Sequence, residues 1–517
     1  MALKKMSLQG YLQNQFLICD TKRPDFPDAD VTLGRWSVYL GQSLSVARLL
    51  NPDRSTFGYV FGIAVDSDGE FLEGAYHDAP SPERAGWPAF EQWIESLTGR
   101  WGALVTDQGA TRFYTDPSGS IGAVYDRNSR SLAASLGLCL TREVVDHPDY
   151  DHSAVEERGG RYTLFDTRDA TARRMNPNCY LDLSDFSETR YWPRPESIAL
   201  HNGRLADSYD LLQERTEKVM TAIAHRRRAW LPLTGGQDSR LLLAMAGRAL
   251  EKIESGFAHV SNYANRRDAA IGERLAARMG FAFERHDYRE HKTKKRRAEV
   301  DVANFHAGLG FPMKAPLELD NGLHLKLPAG AVIFRGHQTD LMRAVLSERI
   351  GAQARRRLRW QVRRLLAVPR PEFDSSVHRR FRGRYWAWLN ALPPCAEANS
   401  TDLMMLEIFY PSSIGAIFPA WQRTFLMSPF NGRQQLGIVL AMDEEYRRGS
   451  HPVHDMVERF APQLNDIPFD FELPAKLETL DDPDHMAQVT QARREATSER
   501  AWALAEPEWQ VEQRRRA

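Results

Sequence analysis

Residues 231–240 read Leu-Pro-Leu-Thr-Gly-Gly-Gln-Asp-Ser-Arg, and no other stretch packs so much chemistry into so few positions. Gly235 and Gly236 allow close backbone approach to a ligand and can aim N–H groups at an oxyanion. Thr234 and Ser239 bring hydroxyls suited to phosphate oxygens, with Gln237 between the glycines and the acid. Asp238 has the wrong sign for phosphate, so it requires a cation in between, and the role that fits is a Mg²⁺ ligand. Taken alone, Gly-Gly marks a tight turn and Asp-Ser caps a helix. Here a strand enters, a helix leaves, and the order hydroxyl-Gly-Gly-x-Asp-Ser lies between them, which favours phosphate binding. The segment is neither GxxxxGK[ST] nor GxGxxG, which argues against P-loop kinases and dinucleotide folds.

Such a loop needs a strand to deliver it and a helix whose N-terminal end faces the anion. Ala229 to Leu233 supplies the strand and Arg240 to Ala249 the helix. Further strands are expected at Ile253 to Val260, Phe281 to Phe283 and Ala331 to Phe334, with a helix from Asp268 to Met279. Before the loop, Leu205, Tyr209, Leu212, Val219, Met220 and Ile223 recur on one helical face. Alternating strands and helices predict a parallel sheet covered on both faces.

The first 190 residues have another rhythm. Phe57 to Val65 ends in the turn cluster Asp66-Ser67-Asp68-Gly69, and Trp101 to Val105 turns through Thr106-Asp107-Gln108-Gly109 into Thr111 to Tyr114. Ile121 to Tyr125, Leu132 to Leu136 and Tyr162 to Phe165 continue the series. Short, closely spaced strands predict antiparallel sheets in two layers. Two prolines in Tyr191-Trp192-Pro193-Arg194-Pro195 mark a linker. The division is therefore 1–190, 191–473 and a charged tail, 474–517, read as a surface helix or partly disordered.

At the glycine loop the chain resembles the ATP-pyrophosphatase, or PP-loop, family, whose signature is Ser-Gly-Gly-x-Asp-Ser; Thr234 keeps the hydroxyl of the leading Ser. Within it, the chain is similar to asparagine synthetases and their relatives, β-lactam synthetase and the lasso-peptide cyclases. The resemblance implies an α/β protein: an N-terminal antiparallel β-sandwich of the glutaminase (Ntn-hydrolase) kind, then a doubly wound parallel-sheet domain with extra helices. It implies ATP and Mg²⁺, a small-molecule or peptide carboxylate turned into an acyl-adenylate, pyrophosphate release, and attack by an amine.

The same family carries Ser-Gly-Glu-Gly-x-Asp-Glu after a later strand, and this chain has Arg335-Gly336-His337-Gln338-Thr339-Asp340-Leu341 after Ala331 to Phe334. Gly336 and Asp340 match, and the resemblance makes Asp340 the second acidic Mg²⁺ ligand beside Asp238. His337 takes the family's Glu position. A near-neutral imidazole there could accept a proton from the incoming amine; a turn or capping histidine is the competing reading. Arg335 and Arg343 could hold a carboxylate or phosphate, or be surface charges.

In the N-terminal part, Gly99 to Leu104 and Phe113 to Gly119 resemble the glutaminase-like domain, with Thr115 in place of the Arg in its Arg-Asp-x-x-Gly turn. Glutamine hydrolysis in that family needs Cys directly after the initiator Met. Ala2 stands there, and the first cysteine, Cys19, follows Leu17-Ile18 as a core residue would. The domain is thus expected to be degenerate. Near the other end, Leu426-Met427-Ser428-Pro429-Phe430-Asn431-Gly432-Arg433 resembles the family's Arg-x-Pro-Phe-Leu-Asp segment. The Lys-x-x-Leu-Arg segment that should follow has no clean match; Arg447 and Arg448 lie in about its place.

The 517 residues hold 68 Lys and Arg against 68 Asp and Glu, which removes the long-range pull of nucleic acid or an anionic membrane. Eleven arginines between Arg355 and Arg384 fit solvated helix faces better than RNA binding. Four scattered cysteines make neither a metal pair nor a disulfide framework. No apolar run is expected to reach the roughly 20 residues that span a bilayer, and no signal peptide opens the chain, so the expected place is the cytoplasm. A homodimer is left open. The leading expectation is an ATP-dependent, AMP-forming amide ligase. The competing ones are a glutamine-dependent asparagine synthetase, a peptide macrolactam (lasso-type) cyclase, and an inactive nucleotide-binding scaffold.

Overall fold

A computed structural model describes residues 12–473 apart from 25, 27, 159–160, 263–264, 291–292 and 351–374, together with 484–489 and 491. Most of the arginine-rich stretch, and nearly all of the tail from Pro474, lie outside the described residues; 484–489 is helical.

The N-terminal part is two mainly antiparallel sheets, one of six strands and one of seven. Rings from both meet in the core: Phe16 lies 4.8 Å from Phe61 and 5.5 Å from Phe113. The strand Thr98–Asp107 pairs with Ala110–Thr115 through Asp107 and Ala110. Gln108 and Gly109 both have positive φ, 45° and 91°. That pair gives the twist a two-residue hairpin needs. Tyr162 to Phe165 is a turn instead of a strand, because Leu164 and Phe165 take left-handed conformations, φ 53° and 67°. Ile121 also lies in a turn, and only Val124–Asp126 of its run is a strand.

The C-terminal part holds five parallel strands in the order Phe283–Asp287, Ser255–Val260, Ala229–Pro232, Val332–Phe334, Phe425–Met427. Their order along the chain is 3-2-1-4-5, so the sheet changes direction between the first strand and the fourth. Loops leaving the carboxyl ends of those two strands flank the crevice where open α/β sheets bind ligands. The strand expected at Phe281 begins two residues later and is mostly polar, as an edge strand can be. The helix Leu205–Arg226 buries all six of the apolar residues that marked it.

Two sequence expectations need correction. The proline-rich linker is not an exposed tether, since Trp192 is completely buried and Tyr191 nearly so. And one helical run, Pro394–Ala420, is long and apolar enough to cross a membrane by length and composition, although 78% of its most apolar window is buried inside the protein. A π-helical turn at Met405–Phe409 interrupts that run just before Pro411. Proline has no N–H to continue the ladder, and π turns recur where side chains must be re-aimed.

Candidate functional site

The glycine loop leaves the first strand and runs into the helix Gln237–Met245, with Gly236 as its N-cap. The helix therefore begins three residues earlier than Arg240 and puts Asp238 and Ser239 in its first turn. The loop is tied to itself. The Thr234 N–H donates to Ser239 Oγ (3.1 Å), and the two hydroxyls lie 3.2 Å apart. The Gly235 carbonyl accepts from the Asp470 N–H (3.0 Å), while its N–H is engaged by the Asp268 carboxylate. A side chain at Gly235 would lie 2.6 Å from Ile271 Cδ1 and 2.7 Å from Asp470 Cβ, whereas Gly236 is open. So Gly235 serves packing, and Gly236 is the glycine that faces free space.

The second loop follows the fourth strand. A Cβ on Gly336 would fall 2.6 Å from Asp238 Cβ, so glycine is what lets the two loops touch. Gln338 starts the short turn Thr339–Arg343 from a left-handed backbone, φ 68°. It is fixed there by its N–H to Tyr410 Oη (3.1 Å) and its amide to Ser118 Oγ (3.0 Å). Strained conformations held this firmly cluster at functional sites.

The structure brings Asp238 and Asp340 together. Arg343 Nη2 donates to both oxygens of Asp238 (2.9 and 2.8 Å) and to Asp340 Oδ1 (2.7 Å). Thr339 Oγ1 also donates to Asp238 (2.9 Å), and Tyr410 Oη to Asp340 Oδ2 (3.1 Å). Burial, then the charge of Asp340, push the Asp238 carboxyl up to about 6 even though Arg343 opposes them. One guanidinium does not offset the pair fully.

Behind Asp340 opens a cavity of about 380 Å³. Its wall includes Phe257, Phe409, Tyr410, Phe418, Trp421 and Leu426, with Arg335 and His337 as polar groups facing in. Burial, reinforced by Arg335, pushes the His337 ring down to about 3. This corrects the expectation of a near-neutral imidazole: the ring is uncharged throughout the physiological range, and its Nδ1 has no partner among the described residues. Burial also lowers Arg335, whose guanidinium hydrogen-bonds to nothing among the described residues; only the field of Glu318 supports its charge.

The C-terminal candidates have structural work. Arg447 is buried in an ion pair with Asp402 (2.8 Å) and donates to the Leu341 carbonyl (2.8 Å), and Arg448 pairs with Glu445 (2.6 Å). Arg447 is therefore not a spare cation for pyrophosphate. Asn431 and Arg433 join the two halves, Asn431 through Asp116 (2.9 Å) and Arg433 through the Thr115 carbonyl (2.9 Å). Cys19 is buried in its strand and its thiol is pushed up to about 11, which makes it inert at neutral pH.

Thr339 and Tyr410 join the site without a sequence signal of their own. Thr339 lies in the Arg335–Leu341 segment as an ordinary turn residue. Tyr410 is 70 residues from Asp340 and had no local signal. No protein-family model matches the chain, and no curated protein matches it.

Proposed function

We propose that the chain is an ATP-dependent amide ligase that releases AMP and pyrophosphate as it joins a carboxylate to an amine. The observation that carries this reading is the Asp238–Arg343–Asp340 cluster: acids from two loops at the carboxyl end of a parallel sheet, at the mouth of a ligand-sized cavity.

The donor set fits Mg²⁺ delivered with a triphosphate. Among the described residues no group of three or more His, Cys, Asp or Glu could hold a metal by itself. Two hard carboxylates completed by phosphate oxygens is the usual Mg²⁺ arrangement, and Asp238 and Asp340 would hold it. When bound it would neutralise phosphate charge. Gly236 and the Thr234 and Ser239 hydroxyls would meet the phosphates, and Arg343, freed from the acids, is the guanidinium at hand for the leaving pyrophosphate. The substrate carboxylate oxygen attacks the α-phosphorus and expels pyrophosphate. The amine then attacks the acyl carbon, AMP leaves, and the amine's proton passes to an acceptor. His337, a neutral ring on the cavity wall, is the candidate for that acceptor role, though burial, reinforced by Arg335, holds it near 3 and makes it a weak base.

The test is a pair of variants assayed for pyrophosphate exchange and for AMP release with amide product. Asp238→Asn should abolish both. His337→Ala should keep exchange and lose product formation by roughly 10²–10⁴-fold, the usual worth of a general base. Equal loss in both assays would move His337 to the ATP site. A wild-type chain that does not bind Mg-ATP would overturn the ligase reading in favour of a scaffold.

A further inference from the structure

We infer that the cavity beside Asp340 is an acyl pocket for a carboxylic acid with an apolar, aromatic-sized body, its carboxylate held by Arg335. The placement of the acyl group rests on the ligase reading; the chemistry of the pocket does not.

The wall is the first argument. Most of it is aromatic or aliphatic, and the polar lining is confined to Arg161, His259, Glu318, Arg335, His337, Asp340, Tyr410 and Ser413. Several of these are already engaged. Asp340 is held by Arg343 and Tyr410, Ser413 Oγ donates to the Phe409 carbonyl (2.8 Å), and Arg161 lies over the Phe409 ring at 4.3 Å. A small acid with a polar body would leave its own polar atoms facing rings. A volume of about 380 Å³ suits a single-ring acid, at the low end of the roughly 300–1,000 Å³ of small-molecule pockets.

The second argument is Arg335. Arg335 is half-buried on the cavity wall, and its guanidinium brings five donors there. Here none is met among the described residues, and Glu318 acts only through its field. A planar carboxylate would answer that demand in two-pronged fashion. His259 and His337 add neutral rings to the same wall. Arg335 and Asp340 belong to one loop, which puts a carboxylate held by Arg335 next to the acid cluster where the phosphates are expected.

Binding of 3-phenylpropanoate and indole-3-acetate to the full chain without ATP, followed by calorimetry and by tryptophan fluorescence, tests this. The expected Kd for the better of the two is about 1 mM or tighter. Acetate, L-aspartate and the uncharged 3-phenylpropan-1-ol should each bind at least roughly tenfold more weakly, since each lacks either the body or the charge. Arg335→Met should weaken the aromatic acid by roughly tenfold or more at an unchanged thermal midpoint. If that variant does not fold, the alcohol comparison carries the test. L-aspartate binding as tightly as the aromatic acids, or no aromatic acid binding below about 10 mM, overturns the assignment. AMP release with aspartate but not with aromatic acids keeps the ligase reading and sinks this one. Tight aromatic-acid binding with no AMP release from any acid does the reverse.

Discussion

Asp238 shows how far a single residue could be read from its neighbours. Its type and place, one position before Ser239 and after two glycines, already demanded a cation. The sequence could not say that Arg343 would supply one in the ligand-free chain, because that contact spans 105 residues. The result is a carboxyl raised to about 6, with Asp340, Arg343, Thr339 and Tyr410 as the groups around it. The raised value fixes the sign of two pH effects. Between the unfolded value near 3.8 and about 6, the folded state binds more protons than the unfolded one, so this group makes the ligand-free protein less stable as pH rises through that window. On the ligase reading Mg-ATP needs the charged form, so its binding should release a proton and tighten with pH, by up to about tenfold per unit below 6, and level off above. Thermal shifts by Mg-ATP between pH 5 and 8 measure this. A shift that does not change with pH, or that is lost in the same way in Asp238→Asn, would remove Asp238 from the linkage.

At the scale of elements, the strands and helices that frame the site were legible where their patterns were strong. The Leu205–Arg226 helix shows a clean apolar stripe, and the strand–loop–helix around Gly236 follows from its punctuation. The misses have physical causes. Tyr162 to Phe165 has the composition of a strand, yet two of its residues are forced left-handed by the turn they make. The polar edge strand Phe283–Asp287 lacks an apolar signature. The contact between the two site loops was beyond reach, because it depends on an absence, the missing side chain of Gly336. Gly336→Ala places a methyl 2.6 Å from Asp238 Cβ and 3.2 Å from its backbone carbon, where no flexible side-chain end can yield. The loops must separate. The expected outcome is loss of Mg-ATP binding by roughly tenfold or more, with a stability cost of about 1–3 kcal/mol, typical of overpacking. Gly236→Ala, which meets only Thr234 Oγ1 at 3.6 Å, should fold as the wild type does. Comparable loss of stability in both would show that loop contact is not what Gly336 provides.

Across the whole molecule, the two halves are joined by buried polar groups as well as by hydrophobic packing. Glu407, completely buried in the π-helical turn, accepts from both terminal nitrogens of Arg190 (2.6 and 2.8 Å), from Trp388 Nε1 (2.7 Å), and from the Asn176 and Asn178 amides (3.0 and 3.1 Å). Burial alone would raise its carboxyl, but Arg190 and these donors together hold it below the usual glutamate value. A lowered acid stabilises the fold above its unfolded pKa near 4.5, and that contribution disappears as pH falls through the folded value. The two prolines near residue 190 mark a linker; the packing of Trp192 and the Arg190–Glu407 pair make it a joint. The N-terminal sheets therefore have a structural role at the site. They buttress the helix that presents Phe409 and Tyr410 to the cavity, and through Ser118 they steady the Gln338 loop. Glu407→Ala leaves the half-buried Arg190 and the Trp388, Asn176 and Asn178 donors without their acceptor and should cost roughly 2–4 kcal/mol, somewhat less than breaking one side of a fully buried pair. Denaturant unfolding of the wild type should be a single transition whether followed by tryptophan emission or by far-ultraviolet dichroism, and Glu407→Ala should shift both probes together to lower denaturant. Two separate wild-type transitions, or a variant that unfolds in only one half, would mean that the sandwich and the parallel-sheet domain stand independently, and the buttress argument would fail.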